Sequence, residues 1–283
     1  MNVTILIVVS IVLAVLFYFL ISYVCYLHNC HKFKKVCTKI DEKESVTYKK
    51  IGKVIVAGLG FNISKTMASI KDIVKSVNAD YVVIVENNSS DNSRLLLEEW
   101  KKDAPFPIIL PVVIEDDERT LKGKSCQRIQ RMVRLRNVLL DTIRDNIVID
   151  DNDTLVLLDL DMDMVYSKSE LNQRIRILHT LNTNVLAADF RVFRELCGFT
   201  SYVRDPFALK KNKKHTDGRF KEVASAFGGL ALYKIKPALD ARYIFEINET
   251  KPSDCLCEHV GFHRQLGGVW IDTTWRLMTM TQE

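Results

Sequence analysis

Apolar residues fall first into one unbroken block and then into short runs separated by helix-patterned stretches. The block runs from Val3 to Leu27 and contains no charged residue. At about 1.5 Å per residue, a helix of that length exceeds the roughly 30 Å hydrocarbon core of a bilayer and reads as a membrane span. It is too long for a typical signal-peptide core, lacks a basic leading region and shows no clear small-x-small cleavage site, so an uncleaved anchor is expected over residues 1–28. Residues 29–50 are polar, basic and without apolar periodicity, as in a short stalk. One folded domain is expected over 51–283.

Within that domain, Lys53-Val-Ile-Val-Ala-Gly-Leu and Ala79 to Glu86 have the continuous apolar character of strands buried on both faces. Ser64 to Val77 and Ser93 to Lys102 carry helical spacing, Ile108 to Ile114 reads as a third strand, and Ser125 to Arg144 as a long helix. The apolar run from Thr154 is a fourth strand. This β-α-β-α-β-α-β order predicts an α/β fold: a mostly parallel sheet, helices on both faces, and a ligand crevice at the strand C-termini. The second half is less regular, with a helix over Ser169 to Leu181, a strand over Val185 to Phe190, an irregular basic stretch through residue 221, an apolar run from Ala224 to Tyr233 and a terminal segment from Cys255. No internal repeat, heptad or low-complexity tract appears.

The fourth strand ends in Asp159-Leu-Asp161-Met-Asp163. In extended chain, side chains at i, i+2 and i+4 share a face, so the three carboxylates are expected to crowd together. Like charges at that spacing raise one another's pKa unless a cation neutralises them. An all-oxygen site of this kind suits Mg²⁺ or Mn²⁺ carrying substrate phosphates. A solvated acidic turn is the plainer alternative.

The long helix supplies a second signal. Ile129, Met132, Val133, Leu139, Leu140 and Ile143 form one apolar stripe, and Arg136 projects from its middle. A buried guanidinium needs a partner. Either the Asp cluster, as a structural ion pair, or a substrate diphosphate would serve.

Composition narrows the picture. With 47% hydrophobic and 27% charged residues the chain is globular rather than disordered. The net charge of +5 sits largely in Lys-rich segments that do not interleave aromatics, which argues against nucleic acid as a partner. Lys32, Lys34, Lys35 and Lys39 follow the span, so the positive-inside rule would place the domain in the cytosol. The sequons at Asn87 and Asn88 fall inside the candidate site, where glycans would obstruct it, and point the same way. Cys126, Cys197, Cys255 and Cys257 belong to the domain, but no spacing identifies a pairing, and Cys255-x-Cys257 lacks the spacing of a structural zinc site.

Arg131-Met-Val-Arg-Leu-Arg136-Asn137 followed by Leu157-Leu-Asp159-Leu-Asp161 resembles the Arg-Asn and Asp-x-Asp pair of GT-A glycosyltransferases. The likeness is nearest to fungal-type mannosyltransferases, among them the cryptococcal capsule-associated α-1,3-mannosyltransferase family. Glu86-Asn-Asn-Ser-Ser-Asp91-Asn-Ser93 looks like their Glu-x-x-Ser-x-Asp segment, and Tyr202-Val-Arg-Asp205 like their Tyr-Asp/Arg-Asp stretch. Phe227-Gly-Gly229 resembles a strand that lines the acceptor side. Cys257-Glu258-His259-Val-Gly-Phe262-His263 stands where family 2 enzymes carry Glu-Asp-x-x-Phe. The match runs roughly from Val54 to Trp275.

The resemblance implies a GT-A fold and transfer of a hexose, mannose favoured, from a GDP- or UDP-sugar to a glycan or lipid-linked acceptor, with Mn²⁺ or Mg²⁺. It implies that Glu86 and Asn87 contact base or ribose, with Asp91 in the same donor segment. Arg136 and Asn137 would approach the diphosphate, and Asp159 would bind ribose or an outer-sphere water. Asp161 and Asp163 would hold the metal, with His263 or His259 in place of a late histidine ligand. Glu258 would position the acceptor, and His259, where an acid usually stands, would be the base unless the enzyme retains configuration. The family also implies a Golgi- or ER-type membrane with a lumenal domain. Two other readings stand beside this one: a haloacid-dehalogenase-type phosphohydrolase, since Asp161-Met-Asp163-Met-Val165 fits its Asp-x-Asp pattern, and a non-catalytic glycan-binding scaffold.

Overall fold

In a computed structural model of the protein, the described residues are 7–21, 23, 24, 28, 31, 37, 50–113, 126–196, 199–204, 209–214, 218–248 and 254–280. Residues 7–21 are helical, with their large apolar side chains exposed. Among the described residues no helix is long and apolar enough to cross a membrane. The span expected over 3–27 lies partly outside them.

The domain is built on an eleven-stranded sheet. Its first half alternates β1 (Val54–Gly60), α1 (Met67–Ser76), β2 (Tyr81–Glu86), α2 (Ser93–Asp103), β3 (Ile108–Ile109), α3 (Cys126–Asn146) and β4 (Thr154–Asp159). The second half runs β5 (Asp163–Val165), α4 (Lys168–Thr180), β6 (Val185–Leu196), β7 (Phe199–Arg204), β8 (Leu209–Lys214), β9 (Phe220–Ser225), β10 (Leu230–Lys234), α5 (Ile235–Asp240), α6 (Glu258–Gln265) and β11 (Val269–Met280). The strand order is β3-β2-β1-β4-β10-β6-β11-β9-β8, with β5 on β11 and β7 on β6.

The first half is parallel, as expected, but the whole is a mixed sheet: β10 lies antiparallel between β4 and β6, and β9 and β5 run antiparallel to β11. Both faces are covered. Val54 and Val56 of β1 point to a core shared with α1, α2 and α4, while Ile55 and Ala57 point to one shared with α3, α5 and α6. Burial on both sides is why β1, β2 and β4 read as unbroken apolar runs.

Three expectations are corrected. The third strand stops after Ile109, because Pro107 and Pro111 have no N–H to give a ladder; only the isolated bridge Glu86 to Val112 continues it. The basic stretch is not irregular, since β8 pairs with β9 at the sheet edge. Lysines along an edge strand discourage further pairing, and they also erase the apolar alternation that marks strands. The Asp-tipped strand ends at Asp159: the chain turns through Leu160, whose side chain is buried and whose carbonyl accepts from Thr66 Oγ1 at 2.5 Å. Asp161 and Asp163 therefore do not continue the strand face of Asp159.

Candidate active site

The parallel strands bring two acids to the same edge of the sheet. Glu86 pairs in register with Gly60, and Asp159 with Leu59, so the two flank the end of β1, about 9–10 Å apart across the ladder. Loops tied to each other line the crevice beyond them. Asn62 and Asn88 adopt left-handed backbone (φ 54° and 51°), and Asn62 accepts from Ser90 N at 2.8 Å while its own N–H donates to Ser89 Oγ at 3.0 Å.

Glu86 is 2% exposed. Its Oε1 accepts from Ser89 N at 2.6 Å, and its Oε2 is buried with no hydrogen-bond partner. Asn87, beside it, is buried and its N–H donates to Gly60 O. Asp91 is otherwise occupied. One oxygen takes the Ser93 hydroxyl and N–H, the other takes the Ser64 hydroxyl at 2.6 Å, so the side chain staples α2 to the β1–α1 loop. Burial works against ionisation there, but these hydrogen bonds prevail and hold the carboxyl near about 2. The carboxylate is a structural tie rather than a donor contact.

Arg136 sits 3% exposed on the inner face of α3. Nη2 donates to Asp159 Oδ1 at 3.2 Å and Nε to Glu258 Oε1 at 3.2 Å, joining the end of β4 to the first residue of α6. Its guanidinium lies over the rings of Phe227 at 5.2 Å and Tyr243 at 5.6 Å. Of the two partners open to it by sequence, the carboxylates are the ones in contact here. Arg136 thus holds the wall together from behind, with Nη1 buried and without a hydrogen-bond partner. Tyr243 is held in turn by Asn137, whose Nδ2 donates to Tyr243 O at 2.9 Å and whose Oδ1 accepts Tyr243 N at 3.0 Å. With both ends of its amide engaged, Asn137 is a loop clip, and its expected contact with a diphosphate is withdrawn.

Asp159 keeps its side chain 26% exposed. Burial raises its pKa, the Arg136 charge opposes the rise, and Asp161 and Glu258 add to it, giving about 6. Asp161, two residues further along the chain, is exposed. Asp163 lies on β5, opposite Met280 of β11. Gly229, whose carbonyl accepts Asp159 N at 2.7 Å, has φ +79°, and a Cβ there would stand 2.8 Å from Met162 Sδ. The Gly-Gly turn is thus the close backbone approach that shapes this side of the site.

His263 overturns one expectation. His263 is fully buried, with Nδ1 2.9 Å from Ser225 Oγ and Nε2 2.9 Å from Tyr233 OH. Both ring nitrogens are spoken for inside the protein, so His263 is not a metal ligand. Burial, aided by the Arg136 charge, depresses its pKa to about 3. His259 is 3% exposed, stacked on Phe227 at 4.2 Å between centroids, with Nδ1 3.4 Å from Tyr243 OH. Its Nε2 is buried without a hydrogen bond, and burial followed by the Arg136 charge pushes its pKa well below the usual value. The ring is packed here as a buried side chain, and its Nε2, like Glu86 Oε2, is left without a hydrogen-bond partner. Glu258 is 5% exposed, its Oε1 on Arg136 and its Oε2 accepting from Cys257 Sγ at 3.4 Å.

Among the described residues no group of three His, Cys, Asp or Glu side chains is placed to hold a metal ion. Carboxylates such as those of Asp159 and Asp161 are hard oxygen donors, the type that suits Mg²⁺ or Mn²⁺ together with substrate phosphates. A disulfide, Cys126 to Cys255, with Cα atoms 5.4 Å apart, ties the start of α3 to the loop before α6. It clamps the two elements that carry Arg136 and Glu258. Sequence reasoning missed this bridge and Tyr243; no spacing marks either. Of the Tyr202 to Asp205 stretch, Asp205 lies outside the described residues.

No family model matches the chain, and no curated protein matches it. Among solved structures it is similar to S. aureus TarS 1–349, with TM-score 0.50 and 11% identity over 80% of this chain and 60% of that one. A longer S. aureus TarS structure gives TM-score 0.50 and 11% identity over 81% of this chain and 37% of that one. The chain thus spans well under two thirds of each. The likeness is one of fold, a GT-A-like mixed α/β fold.

Proposed function

We propose that the chain is a glycosyltransferase that moves a hexosyl group from a nucleoside-diphosphate sugar to a hydroxyl of a glycan or lipid-linked acceptor. The observation that carries this reading is the Asp159–Arg136–Glu258 ladder: it fixes an acid at the donor end of the sheet to an acid at the start of α6, in a GT-A-like fold. In the reaction the acceptor oxygen bonds to the anomeric carbon, the bond from that carbon to the diphosphate breaks, its electron pair leaves with the diphosphate, and the hydroxyl proton of the acceptor is released to solvent. Glu86 Oε2, a buried acceptor without a partner, suits an N–H of the base or a ribose hydroxyl. Arg136 orients Asp159, and Asp159 with Asp161 would hold Mn²⁺ or Mg²⁺. That ion would offset the charge that develops on the departing diphosphate. Glu258 marks the acceptor side. Mannose is favoured by the motif resemblance.

Residues 3–27 are assigned here as the membrane anchor, in a Golgi- or ER-type membrane. The Cys126–Cys255 bridge supports a domain on the oxidising, lumenal side, against the positive-inside count. A dehalogenase-type reading loses its footing, because Asp163 stands on a separate strand rather than beside Asp161 at a strand end.

Calorimetric titration of the full chain in detergent with UDP and GDP, with and without Mn²⁺, tests the proposal. Metal-dependent binding of one nucleotide, lost in Asp161→Asn, is expected. No metal-dependent binding of either would overturn it, as would phosphate release from phosphomonoesters without an acceptor.

A further inference from the structure

At the opposite pole of the sheet lies a second cleft, of about 300 Å³. It opens where the loop after α4 (Asn182, Thr183, Asn184) meets the turn after α6, over the start of β11 and the end of β10. β4 carries Asp159 at its far end, so a six-residue strand, about 20 Å, separates this cleft from the nucleotide crevice.

Its lining is chemically specific. Trp270, half-buried and tilted against Phe220 at 5.8 Å, supplies an aromatic surface. Lys234 gives one N–H to Leu181 O at 2.9 Å, which leaves two of its three donors. Glu222 adds acceptors, and the exposed Asn182 offers both a donor pair and an acceptor. Apart from Trp270 and Leu266 the lining is polar, which disfavours a lipid or other apolar ligand. A carboxylate, Glu222, in the same lining disfavours a polyanion such as a second nucleotide. What remains is a small neutral molecule with one apolar face and a rim of groups that both donate and accept. The volume, at the lower end of the roughly 300–1,000 Å³ range of small-molecule sites, suits a single ring.

We propose that this cleft is a non-catalytic binding site for one neutral hexose unit of a glycan, stacked on Trp270 and hydrogen-bonded by Lys234 and Asn182. The assignment stands apart from the transferase reading, because its test reads binding alone. Saturation-transfer NMR of the full chain in a sugar-free detergent, with glucose, galactose, mannose, N-acetylglucosamine and their short oligomers, is the measurement. At least one neutral sugar is expected to bind with Kd of about 1 mM or tighter. Asn182→Ala, at an exposed position that leaves the fold alone, should weaken it about fivefold by removing hydrogen bonds. Trp270→Ala should abolish it, and Asp161→Asn, in the other crevice, should leave it unchanged. Absence of binding by every neutral sugar overturns the proposal. So does binding that survives Asn182→Ala and fails in Asp161→Asn, which would move the sugar to the nucleotide crevice.

Discussion

Replacing Arg136 by Met keeps the aliphatic bulk between Phe227 and Tyr243 and removes one charge from the ladder. Arg136 is 3% exposed and the Glu258 side chain 6%, whereas the Asp159 side chain is 26% exposed and partly hydrated. Breaking a buried pair by removing one partner costs about 3–5 kcal/mol, because the other charge is left uncompensated. Here that cost falls mainly on Glu258, and water at Asp159 brings the expected loss toward about 3 kcal/mol. The two ring contacts add about 0.5–1 kcal/mol each at most. Urea unfolding of the full chain in detergent, followed by tryptophan fluorescence, gives the loss directly. If the orphaned carboxylate is the cause, Arg136→Met combined with Glu258→Gln should cost about 2 kcal/mol less than the sum of the single changes. A single-variant loss under about 1 kcal/mol, or a coupling within about 0.5 kcal/mol of zero, would refute the ladder as the element that holds the two walls.

Three further outcomes are expected. His263, at about 3, and His259, also depressed, fold as neutral rings. The stability they support is therefore full above the unfolded value of about 6.5 and falls by roughly 1.4 kcal/mol per pH unit per histidine on acidification; urea midpoints that stay flat down to about pH 5 would contradict this. Asp159, raised to about 6, is protonated below that pH, so metal–nucleotide binding should weaken as pH falls through about 6 and should release a proton near it. Titration calorimetry in buffers of different ionisation enthalpy measures the proton, and none released would count against Asp159 as a binding carboxylate. The disulfide closes a separation of 129 residues, for which chain entropy sets a ceiling of about 5 kcal/mol. Cys126→Ser should lower the urea midpoint, and non-reducing peptide mapping should show the linked pair; free thiols at both positions in protein from an oxidising compartment would overturn it.

The parallel half of the fold was legible because its strands are buried on both faces, and that burial writes continuous apolar runs into the chain. Arg136 was legible as a charge inside an apolar stripe, although its second partner, Glu258, lies 122 residues away and leaves no local trace. Leu160 shows why the Asp cluster was misread. Its alternation with Asp159 and Asp161 has the period of a strand, yet the same burial that suits a strand residue also suits a turn that plugs the core beneath Thr66. His263 of α6 misled for a related reason, since residue type signals ligand chemistry while burial between Tyr233 and Ser225 determines whether a nitrogen is available. Tyr243 and the Cys126–Cys255 pair depend on contacts between distant segments, for which local pattern carries no trace.

The placement of β11 bears on how the molecule is made. This late strand lies inside the sheet, between β6 and β9, rather than at its margin. During vectorial synthesis at about 5–20 residues per second, β6 is finished several seconds before Val269 emerges. Throughout that interval the flank of β6 that awaits β11 is an open template for other polypeptides, and the flank of β9 joins it once Ser225 is made.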